Sequence, residues 1–418
     1  MMRRILMVAF HFPPFAGSSG VQRSLRFVQQ LPAHSWQPIV LTATASAYEN
    51  TATDLLDEVP HEIRVHRALA LDASRHLALA RRFPGFIARP DRWVNWAICA
   101  VPLGLALIRH YRPDAIWSTY PIPTAHLIGG LLARASGLPW VADFRDPMVE
   151  DGYPADAATR RAFTRLEQSA VTRAGASVFV TEGAAAMYRS RYPERAHHIC
   201  VIENGFDESS FENLHVDPAP LIPGKLTLLH SGLVYPSERD PSGLFAALAT
   251  LRDECRLPPL LVRLRAGGHD ASLLQLIEKF RLDGLVELAP PIPYREALTE
   301  MVRADGLLVL QAANCNQQIP AKVYEYLRAA RPILCLGDPV GETARMLRRT
   351  GVRHVAPLGD ADAIKPVLWG FLDTLGQVLP DASMVAACGR RHRTAELAAL
   401  LDALVVGAHA HHGAGRAS

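Results

Sequence analysis

Two apolar runs, Gly306–Gln311 and Pro332–Gly337, read as strands and flank a stretch that reads as a helix, and this succession constrains the fold more than any other part of the chain. The intervening segment reads Ile-Pro-Ala-Lys-Val-Tyr-Glu-Tyr-Leu-Arg-Ala-Ala-Arg-Pro-Ile from Ile319 to Ile333. Its helix is expected to open at Pro320, a good first-turn residue, and to stop before Pro332. Strand, loop and helix N-terminus then make the ligand-facing end of a parallel α/β unit, where backbone N–H groups favour an anion. Lys322 and Glu325 are three residues apart and share one face of the first turns. Lys322 suits a phosphate, and Glu325 suits the hydroxyls of a sugar or ribose as an acceptor. The same pair would also serve as a solvated ion pair on a surface helix, and these residues alone leave both readings open.

The alternation continues along the chain. Strand-like runs at Ile5–Phe10, Pro38–Leu41, Ala115–Ser118, Trp140–Asp143, Ser177–Thr181 and Ile199–Ile202 are separated by helical segments such as Val21–Leu31, Pro123–Ser136 and Thr159–Ala174. A second series follows at Leu226–His230, Leu261–Ala266, Val286–Leu288, Leu307–Leu310 and Ile333–Leu336. The 418 residues exceed a usual single core, so two domains of roughly 200 residues are expected. We read residues 1–207 as a first Rossmann-like domain, 208–225 as a polar, proline-rich linker and 226–382 as a second such domain. Residues 383–406 read as a terminal helix packing back on the first domain, and 407–418 as a disordered tail. His409, His411 and His412 in that tail fit a frayed terminus better than a metal site.

An apolar fraction of 49% with 20% charged residues belongs to a globular chain, and a net charge of +3 gives no argument for nucleic acid. Six scattered cysteines, at 99, 200, 255, 315, 335 and 388, include no Cys-x-x-Cys pair. They read as reduced core residues of a cytosolic protein, with no metal expected. Met1-Met-Arg-Arg before Ile5 imitates a secretory signal, but the apolar run is too short, and it reads as the first buried strand. Trp96 to Ile108 is the nearest approach to a membrane span, and it is too short and holds Pro102.

Three further motifs carry candidate chemistry. His11-Phe-Pro-Pro-Phe-Ala-Gly-Ser-Ser-Gly20 follows the first strand, and Gly17 and Gly20 would let backbone approach a phosphate or sugar. A flexible turn is the plainer reading. The loop is neither Gly-x-Gly-x-x-Gly nor a P-loop, so NAD and ATP lose support. Val141-Ala-Asp-Phe-Arg-Asp-Pro147 ends a buried strand with three charges in four residues. Asp143 or Asp146 could orient a hydroxyl and Arg145 could counter a phosphate, or the three could form a structural network at the domain edge. Leu229-His-Ser-Gly-Leu-Val-Tyr-Pro-Ser-Glu-Arg-Asp-Pro241 opens the second series after its first strand, and taken alone this loop is a weak signal. Asp360-Ala-Asp362 has a metal-binding spacing but stands before a helical run, where capping is the better account. Between Ser74 and Arg92, five arginines (75, 81, 82, 89 and 92) interleave with Leu77, Leu79, Phe83, Phe86 and Ile87. Such a segment could rest on an anionic membrane or form a partly buried surface helix.

The Ile319–Ile333 stretch resembles the donor-binding helix of the retaining family-4 glycosyltransferases, which have the GT-B fold. Glu325 matches the second acid of that family's Glu–seven residues–Glu motif, with Ala329, Pro332 and Ile333 following in order. The first acid falls on Gln317, an amide that can hydrogen-bond a sugar hydroxyl without supplying charge. In the loop after the second series begins, Arg239 takes the family's lysine position and Leu233 its arginine position. Arg145-Asp146 stand where many members have His-Asp, and the Gly17–Gly20 loop is similar to the family loop facing the reacting sugar.

The resemblance implies two Rossmann-like domains facing a central cleft, with the acceptor on the first and a nucleotide-sugar on the second. Arg239, Lys322, Asp143 and Arg145 are the implied catalytic residues. Gly17, Gly20, Gly232, Arg239, Lys322, Glu325 and Gln317 are the implied donor contacts. The implied reaction is transfer of a hexose-type sugar to a hydroxyl of a glycan or lipid-linked glycan, as in cell-surface polysaccharide synthesis. It would be retaining, free of metal and other cofactors, and cytoplasmic, at the inner face of the membrane if the basic segment docks there. A sugar-nucleotide epimerase or hydrolase of the same fold, or a non-catalytic partner protein, are the alternatives.

Overall fold

The continuous apolar runs become strands because parallel ladders bury both faces, which leaves no room for polar alternation. The computed structural model describes residues 2–16, 20–52, 55–77 and 85–414, apart from the side chains of 86, 87 and 409–414. Gly17 lies outside the described residues, as do Leu79, Arg81, Arg82 and Phe83 of the basic segment and the side chains of Phe86 and Ile87. The chain divides into two units, Met1–Glu203 with Arg391–Ser418, and Asn204–Arg390.

The first unit is a seven-stranded parallel sheet in the order β3-β2-β1-β4-β5-β6-β7. Its strands are β1 (Arg3–Ala9), β2 (Trp36–Ala43), β3 (Arg64–Ala68), β4 (Ala115–Thr119), β5 (Trp140–Arg145), β6 (Ala176–Phe179) and β7 (Ile199–Val201). The connecting helices include α1 (Gly20–Gln30), α2 (Ala73–His76), α3 (Trp96–Tyr111), α4 (Pro123–Ser136), α5 (Ala157–Arg173) and α6 (Glu182–Arg191). The strand order reverses between β1 and β4, so the loops leaving these two strands diverge and open a crevice at their C-terminal ends. β3 has no counterpart among the sequence expectations. Arg-Val-His-Arg-Ala carries no apolar run because this edge strand is only partly buried.

The second unit repeats the plan with six parallel strands in the order β10-β9-β8-β11-β12-β13. They are β8 (Leu226–Ser231), β9 (Leu260–Arg265), β10 (Val286–Ala289), β11 (Gly306–Leu310), β12 (Ile333–Leu336) and β13 (Val355–Ala356). Its helices include α7 (Glu208–Phe211), α8 (Ser242–Asp253), α9 (Asp270–Lys279), α10 (Tyr294–Arg303), α11 (Ala321–Ala329), α12 (Glu342–Arg349), α13 (Ala361–Asp373) and α14 (Ala382–Ala386). Here the order reverses between β8 and β11. Residues 208–225, expected as a linker, are part of this unit. Phe211 is buried in its core, and Glu208 pairs with Arg328 on α11 at 2.5 Å.

The expected terminal helix over 383–406 is two helices, α14 and then α15 (Arg390–Ala414), the second of which belongs to the first unit. The break falls at Gly389 because the backbone there pairs with Phe206, and the Arg390 N–H donates to the Phe206 carbonyl at 2.9 Å. Gly205 lets the two segments approach, since a Cβ on it would stand 2.5 Å from the Cys388 carbonyl oxygen. The tail expected to be disordered from 407 instead continues α15 to Ala414.

One smaller expectation also changes. Cys335 and Cys388 are buried, but Cys99 and Cys255 are exposed, so the cysteines are not all core residues. Among the described residues no helix is long and apolar enough to cross a membrane. Asp360 caps α13, its carboxylate accepting from the Ala363 N–H at 3.0 Å.

Candidate functional site

Parallel sheets bind ligands where the strand order reverses, at the carboxyl ends of the strands. Each unit gathers its candidate residues at such a place, and each is described by itself.

In the second unit the site grows from β8. His230 is fully buried near its end, and its Nδ1 lies 2.9 Å from the Leu308 carbonyl oxygen on β11. A carbonyl can only accept, so Nδ1 carries the proton and Nε2 is left as an acceptor. Lys322, in the first turn of α11, places Nζ 3.0 Å from that Nε2 and donates to it. Burial, and then Lys322, hold His230 well below the ordinary imidazole range, which keeps it neutral. Next to it Gly232 has φ of 111°, and a Cβ there would come within 3.1 Å of the lysine Nζ. Glycine is thus required twice over, for the backbone and for the space.

Helix α11 presents its polar edge here because the rest of it is core. Val323, Tyr324, Tyr326 and Leu327 are buried, leaving Lys322, Glu325 and Arg328 on the remaining face at intervals of three. Pro320 stands just before the first turn as the N-cap, one position earlier than expected from the sequence. The Tyr326 hydroxyl accepts from the Ser231 N–H at 2.8 Å and fixes α11 to the end of β8. Lys322 is brought down to about 7, chiefly by burial and then by the Arg239 charge, with Glu325 opposing. Glu325 is raised by burial, against the Tyr294 hydroxyl that donates to it at 2.8 Å and the charges of Arg390 and Lys322. Arg239 is held over the Tyr235 ring, 5.3 Å from its centroid, and donates to the Leu233 carbonyl at 2.7 Å. Two cations and a carboxylate therefore converge beside a neutral histidine, an arrangement suited to a diphosphate with an adjoining diol.

Gln317 is exposed in the loop before α11, a loop tied down by Gln311, whose amide nitrogen donates to the carbonyls of Cys315 and Gln318. Leu233 is also exposed, at 45%. A cavity of about 640 Å³ lies against α10 and residues 213–221 of the same unit and includes none of these residues. His230, Tyr294, Tyr326 and Gln311 were missed by sequence reasoning. His230 left a trace, as a titratable residue near the end of a mostly apolar strand.

In the first unit, Asp143 is completely buried and is gripped by Arg23 of α1 through two hydrogen bonds, 2.9 and 3.0 Å. Thr119 donates to it at 3.2 Å, and Arg23 also donates to the carbonyls of Ile202 and Glu203. The carboxylate thus ties α1 to the strand ends through Arg23 and Thr119, partners that lie outside the Asp143–Arg145–Asp146 network weighed from the sequence. Arg145, two residues on, has φ of 62° at a register shift in β5. Its guanidinium donates to the Tyr120 carbonyl at 3.3 Å, and burial lowers its pKa against the opposing charges of Asp146 and Asp143. His11 stacks on Phe15 at 4.2 Å and is brought down to about 3 by burial and by Arg145. Gly20 is the first residue of α1, three positions before Arg23, and Gly17 lies outside the described residues.

With the geometry in place, the chain can be set beside known proteins. Residues 19–205 match the model of the glycosyl transferase 4-like domain. Among solved structures, the chain is similar to Anabaena HepE in complex with UDP, at 14% identity and a TM-score of 0.65, covering 96% of this chain and 100% of that one. It is also similar to a glycosyltransferase from Rickettsia africae (13% identity, TM-score 0.61, 97% of each chain). Sucrose-phosphate synthase from Thermosynechococcus elongatus gives 14% identity and a TM-score of 0.59, with both chains wholly covered. No curated protein gives a match. The fold is GT-B, two Rossmann-like domains, as the structural likenesses show. The family model covers residues 19–205, most of the first domain, so it is that domain that is glycosyl transferase 4-like.

Proposed function

We propose that this enzyme transfers a sugar of the hexose type from a nucleotide-sugar bound by its second domain to a hydroxyl of a glycan or lipid-linked glycan. The observation carrying the reading is the convergence of Lys322, Arg239 and Glu325 at the reversal point of the second sheet. That HepE has been seen with UDP supports a uridine nucleotide as the first donor to test. In this reading Glu325 takes the ribose hydroxyls, while Lys322 and Arg239 hold the diphosphate and stabilise the charge that grows on it as the glycosidic bond breaks. Those cations do the work a metal does elsewhere, so we propose a metal-independent reaction. A retaining course and a role in cell-surface polysaccharide synthesis belong to the same proposal, on the strength of the resemblance.

Glu325→Ala tests it. Loss of a carboxylate that takes charge-assisted hydrogen bonds should weaken UDP binding by about 1.5–3 kcal/mol, roughly 10- to 150-fold, in a folded protein. Calorimetry alongside circular dichroism measures this, and unchanged affinity in a folded variant would sink the donor-site reading.

Peripheral contact of the first domain with an anionic membrane is the further part of this proposal. Arg92 pairs with Glu49 and Asp72, Arg89 with Asp156, and Arg75 donates to the Tyr48 carbonyl. Membrane attraction would then fall to Arg81 and Arg82, at about 1 kcal/mol per basic residue. Arg81→Glu with Arg82→Glu should abolish salt-sensitive sedimentation with phosphatidylserine vesicles; a wild type that stays in the supernatant at low salt refutes docking.

A further inference from the structure

We propose that His230 is the positioning residue of the donor site: its Nε2 holds the Lys322 amine until a diphosphate draws that amine off as an ammonium, so that donor binding takes up one proton. This rests on the reading of Lys322 as a phosphate contact and adds to it the protonation change and the residue that governs it.

The geometry limits what His230 can be. Its Nδ1–H is committed to the Leu308 carbonyl, so the ring is fixed in one tautomer and in one orientation. The lone pair on Nε2 points at Lys322 Nζ, 3.0 Å away, and the ring is fully buried. An imidazole so placed cannot act as a proton donor to a ligand. What it can do is hold an amine in position without neutralising it. A carboxylate in its place would fix Lys322 as an ammonium and compete with the phosphate for it. A neutral acceptor leaves the charge to be set by whatever else faces the amine.

The groups that face it come from three directions. Arg239, on the loop leaving β8, repels an ammonium; Glu325, one turn along α11, attracts it; His230 on β8 is neutral. Glu325 is itself partly occupied by Tyr294 of α10 and by Arg390. Burial adds to the Arg239 repulsion, and the result is an amine that titrates at about 7. A diphosphate brings negative charge to this point, cancels the Arg239 repulsion and favours the ammonium, so the lysine pKa rises in the complex. The sign follows. Below pH 7 the lysine is already charged and binding needs no proton. As pH rises through 7, each bound diphosphate takes up a proton and affinity falls, by up to tenfold per pH unit, until the pKa of the complex is reached.

The experiment is titration calorimetry with UDP at pH 8 in buffers of different ionisation enthalpy, followed by UDP affinity from pH 6 to 9. UDP is fully ionised at pH 8, so the protein is the source of any protonation change. The wild type should take up about 0.9 proton per UDP at pH 8, from a group titrating near 7. Lys322→Met should take up none. His230→Leu removes the acceptor and should move the midpoint of the affinity profile down by at least about one pH unit, because a hydrogen bond to the ammonium is lost. His230→Gln, which keeps an acceptor near the Nε2 position, should restore most of the shift and keeps the test open should His230→Leu not fold. UDP binding without proton uptake at pH 8 overturns the coupling while leaving the donor site intact. A midpoint unmoved in His230→Leu overturns the positioning role. Absence of UDP binding in the wild type at every pH overturns the donor-site reading itself.

Discussion

Asp143→Ala is expected to lower the stability of the first domain by about 3–5 kcal/mol, the usual result of removing one partner from a buried ion pair. The loss has a specific origin. Arg23 is 4% exposed, and without the carboxylate its buried guanidinium loses two charge-assisted hydrogen bonds while still donating to the carbonyls of Ile202 and Glu203. Thr119 loses an acceptor at the same time. A domain of this size is stable by only about 5–15 kcal/mol, so the change should be visible as an early first transition in urea or as lost amide protection around α1. UDP affinity of the second domain, which contains none of these residues, is the internal control. A variant that keeps its unfolding transition and loses only turnover would return Asp143 to the role of a substrate-orienting carboxylate.

Lys322→Met and Arg239→Ala are expected to lower turnover at saturating donor about 100- to 1,000-fold each, over and above what each costs in UDP affinity. The difference between the two effects is the point of the experiment. Charge on the diphosphate grows as the sugar leaves, so a cation there stabilises the transition state more than the bound donor. The lysine variant should fold at least as well as the wild type, since burial already disfavours its ammonium. The assays belong in chelator. Loss of wild-type activity on chelation would refute the metal-independent mechanism, and equal losses in binding and turnover would make these residues mere anchors.

The second-domain site was legible in outline because its parts are local. Lys322 and Glu325 lie on one face of a helix bounded by Pro320 and Pro332, and helical periodicity alone brings them together. The strands likewise follow from apolar runs that have no other use, and β3 was lost because an edge strand does not need one. The first-domain motif around Asp143 was visible as a cluster of charges, but its partner was not. Arg23 stands 120 residues earlier, and no local pattern says that it will close on this carboxylate.

The residue types at the strand ends, the helix boundaries and the doubly wound order of elements were thus determined by sequence, through steric and hydrophobic periodicities that act over a few residues. What the tertiary structure alone decided is the state of each charge. Lys322 meets His230 across 92 residues and Glu325 meets Tyr294 across 31, and burial at those meetings sets which groups carry a proton. Protonation depends on desolvation and on neighbours in space, and both exist only once the sheet has brought distant segments together.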